Sequence, residues 1–254
     1  FTRFQENPVD RMLYVAMSGA KQAMEQQASV ANNMANVSTP GFRAQVNAFR
    51  AVPVVGEEAQ TRSFVVATTP GADFTHGPMT ETGRELDVAV KGDGWLVVQT
   101  ATGEAYTRVG NLQVAADGQL TTMGGRPVVG ENGGLVIPPG ATATVGLNGV
   151  IAARGAGDPA VGIAEVGRLK LVNPPATDLV RGDDGLFRMR EGLQAAEADP
   201  AVTVMSGVVE GSNVNPVEAM VAMIANARSF EMQMKSISTA DTNAQSANKL
   251  LAYG

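Results

Sequence analysis

The chain has 254 residues, enough to bury a sizeable core in one or two domains. It has no cysteine, which excludes disulfides, zinc–thiolate centres and cysteine nucleophiles; a net charge of −6 with no basic run argues against nucleic acid as a partner. Charged residues make up 17%, against roughly 25% in ordinary globular domains, which fits a surface covered by other subunits and equally a sparsely charged monomer.

Residues 1–9 are set aside as an unassigned leader, and the first predicted element is a helix over 10–36 opening at Asp10, a candidate N-cap. Leu13, Met17, Ala20, Met24, Gln27, Ala31 and Met34 follow alternating steps of four and three, the spacing of a coiled-coil seam. The helix is expected to stop in Asn36-Val37-Ser38-Thr39-Pro40-Gly41, where polar residues, proline and glycine cluster. Residues 37–85, mixed and rich in Val, Thr and Pro, read as an extended connector with little core of its own.

Residues 86–199 read as a central β domain. Twenty-five of the 29 glycines fall between 71 and 211, and turns need glycine where helix interiors disfavour it. Leu86, Val88 and Val90 alternate with Asp87 and Ala89, and Trp95-Leu96-Val97-Val98 follows the turn Gly92-Asp93-Gly94. Leu112-Gln113-Val114 and Gln119-Leu120-Thr121 flank Asp117-Gly118, a hairpin signal. Residues 200–215 read as a second connector.

A second helix is predicted over 216–254: Asn215 can cap it, Pro216 suits the first helical position, and Glu218 stands three residues after the cap. Its seam is Met220, Met223, Ala227, Phe230, Met234, Ile237, Asp241, Ala244, Asn248 and Leu251. The expected fold is therefore α+β, with N- and C-terminal helices pairing as a coiled coil around a central, mainly antiparallel β domain. The faces off both seams carry amides such as Gln22, Gln26, Asn32, Asn33, Gln233 and Gln245 more than charge, which suits packing against neighbouring helices better than facing water.

Catalytic chemistry is hard to find. His76 is the only histidine, and beside Gly77-Pro78 it reads as a polar loop residue. Gly92-Asp93-Gly94 lacks the third glycine of a dinucleotide loop and precedes a strand. Arg181-Gly182-Asp183 spells an adhesion tripeptide in a loop where chance explains it, and Asn36-Val37-Ser38 fits a glycosylation sequon that helix termination explains better. Glu57-Glu58 and Asp183-Asp184 read as solvated loop pairs. No enzyme activity, cofactor, metal or small-molecule substrate is expected, and no apolar stretch of about 18 residues offers a membrane span.

Ala31-Asn32-Asn33-Met34-Ala35-Asn36-Val37-Ser38-Thr39-Pro40-Gly41-Phe42-Arg43 resembles the N-terminal signature of bacterial flagellar rod and hook proteins. Glu210-Gly211-Ser212-Asn213-Val214, then Glu218-Ala219-Met220, Met223-Ile224, Arg228-Ser229-Phe230-Glu231 and Lys235, resembles their C-terminal signature. Leu86 to Val90, Gly94-Trp95, Tyr106-Thr107-Arg108, Gly110-Asn111, Asp117 to Leu120 and Gly167 to Pro174 are similar to the family's β domain, with Trp95 where Phe is usual. The opening Asp10-Arg11-Met12-Leu13-Tyr14-Val15-Ala16-Met17-Ser18-Gly19-Ala20 is most similar to the branch that builds the proximal rod. That branch commonly starts Met-Asp-Arg, so Val9 is expected to mark the start.

The resemblance implies a structural subunit that transmits torque for motility. Its partners would be copies of itself, other flagellar rod proteins and the flagellar type III export apparatus. It would leave the cell without a cleaved signal peptide and sit in the periplasmic section of the basal-body rod. The implied assembly interface is Leu13, Met17, Ala20, Met24, Ala31, Met34, Met220, Met223, Ala227, Phe230, Met234, Ile237 and Leu251; the motif positions are Asn32, Asn33, Asn36, Pro40, Gly41, Phe42, Ser212, Asn213 and Val214. The alternatives are a distal rod subunit of the same family, a periplasmic enzyme with helical oligomerisation arms and, more distantly, an adhesin built on the Arg-Gly-Asp triplet.

Overall fold

The computed structural model describes residues 8–47, 49–53, 63–67, 71–155 and 163–252. The chain divides into two compact units: residues 1–35, 45–71 and 215–254 form a helical unit, and residues 36–44 and 72–214 form a β body. Of the leader expected over residues 1–9, residues 1–7 lie outside the described residues, as does the Glu57-Glu58 pair, while Pro8 and Val9 belong to the first helix.

Two helices dominate the first unit, α1 (Pro8–Ala35) and α2 (Pro216–Ala252). Both are rich in Ala, Met and Gln, which hold the helical backbone with little loss of side-chain freedom. α1 begins at Pro8, two residues before the expected cap, because proline fits the first turn, where its missing N–H has no partner to lose. α2 is capped as expected: the Asn215 side-chain oxygen accepts the N–H groups of Val217 (3.0 Å) and Glu218 (3.4 Å). The strands Phe49–Pro53 and Ser63–Ala67 pair antiparallel in the same unit.

α1 and α2 pack against each other. Six residues lead from Ala35 to Gly41 and six from Glu210 to Pro216, and the Gly41 N–H donates to the Glu210 carbonyl at 2.7 Å. The end of α1 and the start of α2 are thereby tethered close together, so the packed helices run antiparallel.

The β body is built from antiparallel pairings. Its largest sheet has five strands in the order Leu171–Val172, Trp95–Thr100, Gly103–Thr107, Phe187–Met189, Leu179–Arg181. A three-stranded sheet joins Thr142–Val145, Val150–Arg154 and Ile163–Arg168. The predicted hairpin is present: Leu112–Val114 pairs with Leu120–Thr122, and Gly118 takes φ +82°, the left-handed conformation that the turn requires. Both faces of Trp95–Thr100 are covered, so its residues alternate between two cores. Leu96 and Val98 join Val88, Leu112, Leu120, Ile151 and Leu169. Trp95 and Val97 join Tyr106, Val172 and Phe187, with the Trp95 and Phe187 rings 4.8 Å apart.

Of the connector expected over residues 200–215, residues 200–214 are part of this body, and Asn215 belongs with α2. Thr203–Ser206 pairs with Val88–Lys91, Val208–Glu210 pairs with Met79–Glu81, and Val202 and Val204 enter the first core. These strands of three or four residues bury one side chain each, and their partners are more than a hundred residues away, so no local pattern announces them. Val204→Ala should lower the unfolding free energy by about 2 kcal/mol. Urea titration followed by fluorescence of Trp95, the only tryptophan, would measure it; an unchanged midpoint would make this segment a mere link.

Candidate functional site

The face that α1 turns to α2 is made of small residues. Ala16, Ala20 and Ala23 are buried on α1, and Ala219, Asn226 and Ala240 on α2. A Cβ added to Gly19 would stand 2.8 Å from the Gln233 side chain, so the absence of a side chain there lets the helices approach. Large apolar side chains remain outside. Met24 is 61% exposed, Met232 64% and Val217 67%, and Val15, Met17, Met220, Val221, Ile224 and Met234 are also exposed.

Among the residues expected at the interface, Ala20 lies in the mutual face and Met34, Met223, Phe230 and Ile237 are half-buried. Met17, Met24, Ala31, Met220, Ala227 and Met234 are exposed, while the side chains of Leu13 and Leu251 lie outside the described ones. The buried face thus runs one position to the side of the stripe read from sequence. Both stripes share the same heptad spacing. Hydrophobicity selects the one with methionines, whereas close packing selects the one with alanines.

The chain then turns back on α1. Asn33 grips the backbone of Gln45 with both ends of its amide: Oδ1 accepts the Gln45 N–H at 2.7 Å and Nδ2 donates to the Gln45 carbonyl at 2.9 Å. Asn36 holds the following turn, its side-chain oxygen accepting the Thr39 hydroxyl and its carbonyl the Thr39 N–H. Asn32 lies on the exposed side of the helix, and Pro40 is half-buried in the turn.

In the β body the two signatures meet at a buried cluster of charge. The Glu210 carboxylate is fully buried, with Arg43 Nη1 at 2.7 Å from one oxygen and Arg108 Nη1 at 3.0 Å from the other. The Gly77 N–H also donates to Glu210, at 3.0 Å. Arg108 donates further to the carbonyls of Val90 (3.2 Å) and Gly92 (2.6 Å), and its Cζ lies 5.4 Å from the Trp95 ring centroid, in cation–π range. Burial lowers the pKa of Arg108, and the charge of Glu210 opposes the shift. His76 borders the cluster, with Nδ1 3.4 Å from Arg43 Nη2 and Nε2 3.4 Å from Asp93.

Around this cluster the motif residues interlock. Gly41 (φ +67°) sits where a Cβ would lie 2.3 Å from the Arg108 backbone. Phe42 is buried under the Arg181 guanidinium, 4.5 Å from its ring, and its carbonyl accepts the Asn213 N–H at 3.3 Å. The Asn213 side chain accepts the Ala44 N–H at 2.6 Å and donates to the carbonyls of Asp73 (2.9 Å) and Thr75 (3.0 Å). The buried Ser212 hydroxyl accepts the Val214 N–H at 3.2 Å. Sequence reading singled out these positions as a signature without giving Arg43, Arg108 and Glu210 any role.

Arg181 of the Arg-Gly-Asp triplet is engaged inside the molecule. It donates to the Arg43 carbonyl at 2.6 Å and packs on Phe42, and burial lowers its pKa. An adhesive triplet needs that guanidinium free, so the adhesin alternative loses its support. Among the described residues, no group of three acidic or histidine side chains could hold a metal ion, and no helix is long and apolar enough to cross a membrane.

Three stretches match known families: residues 13–43 the flagella basal body rod proteins, residues 89–153 the D1 domain of the flagellar hook proteins FlgE/F/G, and residues 205–250 the C-terminal region of the flagellar basal body rod FlgEFG proteins. The flagellar basal-body rod protein FlgF of Escherichia coli K12 is 55% identical over 250 residues, spanning 96% of this chain and 99% of that protein. This chain belongs to the FlgF family of flagellar basal-body rod proteins. FlgF of Salmonella typhimurium LT2 is 54% identical over the same shares of the two chains, and FlgF of Buchnera aphidicola subsp. Schizaphis graminum is 32% identical over 95% of this chain and 98% of that protein. The N-terminal match ends on Arg43 and the C-terminal match includes Glu210, so the FlgF-family signatures carry both sides of the buried ion pair.

Glu210→Leu should cost about 3–5 kcal/mol of stability, because two guanidinium groups stay buried without their counter-charge. Arg43→Met made in addition should recover part of that loss. Urea unfolding of the full chain read by Trp95 fluorescence checks both; a single variant as stable as the parent would show that the ion pair does not hold the body together.

Proposed function

We infer that this chain is a structural subunit of the bacterial flagellar basal-body rod, in its proximal part, and that it works by assembly and not by catalysis. The 55% identity to FlgF of E. coli over almost the whole of both chains carries this reading.

α1 and α2 are the assembly elements. Their small-residue face is spent on each other, and methionines and branched apolar residues are left outside. Burying one such side chain is worth about 1.5–3 kcal/mol, so helices of neighbouring copies and of other rod proteins favour the exposed stripe. In that setting the helices form the coiled-coil lining of a tubular shaft, and the shaft transmits torque for motility. The subunit reaches the periplasmic section of the basal body through the flagellar type III export apparatus.

Replacing two exposed methionines separates folding from assembly. The Met220→Asp, Met234→Asp double variant should keep the circular dichroism of the parent chain, since neither side chain lies in the mutual face. It should be missing from isolated basal bodies, and cells carrying it in place of the parent gene should fail to spread in soft agar. Parental spreading, with the variant present in basal bodies, would overturn the proposed interface. A tagged parent chain absent from purified basal bodies would overturn the function itself.

A further inference from the structure

The oxidisable sulfurs of this chain are gathered on its two helices. Eight of the twelve methionines stand on α1 and α2, whereas leucine occurs on them only at positions 13, 250 and 251. Leucine and methionine hold a helix about equally well and fill similar volumes, so neither helix propensity nor packing selects the thioether. Met17, Met24, Met220, Met232 and Met234 are between 46% and 64% exposed. No cysteine competes with them for an oxidant, and the one tryptophan is buried. The mutual face of the pair is inert by contrast. Its buried residues, Ala16, Ala20, Ala23, Ala219, Asn226 and Ala240, have no atom that such an oxidant attacks.

We propose that these five methionines are an oxidation switch on assembly, modified by oxygen-donating two-electron oxidants such as hypochlorous acid. The sulfur gains one oxygen and gives up two electrons. The hypochlorous acid is reduced to chloride, a proton is released, and an S–O bond replaces the O–Cl bond. The product is a sulfoxide, a polar group at the end of a side chain that was apolar. A neighbouring helix covering the stripe would have to strip water from that group without returning a hydrogen bond, so a modified chain stays out of the shaft. The alanine face does not react, so the helix pair persists and the change is confined to docking. Reductases return the sulfoxide to the thioether, which makes the block reversible. Neighbours that cover the stripe also shield its sulfurs, so the switch acts on chains awaiting assembly and not on finished rod. This inference rests on the reading of the exposed helix side as the assembly surface.

The full-length chain titrated with hypochlorous acid and mapped by peptide mass spectrometry should carry sulfoxide at the five positions before the half-buried Met189 and Met205 of the β body, with its circular dichroism kept. In cells pulsed with the acid while the chain is made, its amount in isolated basal bodies should fall about tenfold or more, as expected when one apolar side chain no longer gains from burial. The variant Met17→Leu, Met24→Leu, Met220→Leu, Met232→Leu, Met234→Leu should be spared. Met79→Leu, Met123→Leu, which removes two exposed methionines of the β body, should respond as the parent does. If the leucine variant assembles poorly even without the pulse, the parent decides: sulfoxide at the five positions should be about tenfold rarer in basal bodies than in unassembled chain from the same pulsed cells. Equal sulfoxide fractions in the two pools, loss of helicity on oxidation of these residues, or a leucine variant as sensitive as the parent would each overturn the proposal. Equal incorporation of the parent with and without the pulse, when mapping shows it oxidised, sinks the switch and leaves the rod reading standing; absence of the parent from basal bodies of unpulsed cells sinks that reading instead.

Discussion

The fold depends on one carboxylate that cannot be buried alone. Glu210 lies in a fully enclosed position, where an unpaired charge would cost several kcal/mol, and only Arg43 and Arg108 make that position tolerable. The three residues come from opposite ends and the middle of the chain. None of the three charges can leave water until the others arrive, so residues 36–44, the strand pairs around 90 and 107, and residues 203–210 close as one event. The β body is therefore not a module inserted between two helical tails. Its last strands and its deepest ion pair belong to the segments that carry the tails.

The helices follow a different rule. They meet through alanine and glycine, so their mutual contact is close but removes little apolar area per residue, and the larger apolar side chains stay outside. A helix pair made this way is narrow, and both of its edges remain adhesive. That division suits a subunit whose helices must first find each other and then be surrounded by others. The few charges on α2 across its outer side, set among amides and hydroxyls, point the same way.

Much of this was legible in the residues. Glycine density separated helix from sheet, Asn215-Pro216 marked the start of α2 to the residue, and Asp117-Gly118 marked a hairpin that is present. The heptad spacing was legible too, but not its phase: Met17 and Ala16 sit on neighbouring stripes of equal period, and only the partner helix decides which is buried. Thr203–Ser206 and Val208–Glu210 escaped because sheet pairing over a hundred residues leaves no local trace. Glu210 escaped for a sharper reason. A lone acidic residue near a glycine reads as solvent-exposed loop, and its burial follows only from two arginines that the fold brings to it.

Asn213 shows why the signature residues sit where the chain passes between its two units. The units divide at residues 35/36, 44/45, 71/72 and 214/215. One asparagine holds the body side of three of these crossings: its oxygen accepts the Ala44 N–H, its amide nitrogen donates to the Asp73 carbonyl, and its own backbone lies one residue before the last. Asp73 and Ala44 are joined in turn by a backbone hydrogen bond of 2.8 Å. Aspartate has the acceptor but not the donor, and leucine has neither, so the knot needs an amide of this length. Close behind it stand Gly41 and Phe42, packed against Arg108 and Arg181, so the amide of Asn213 belongs to the same buried knot as the ion pair.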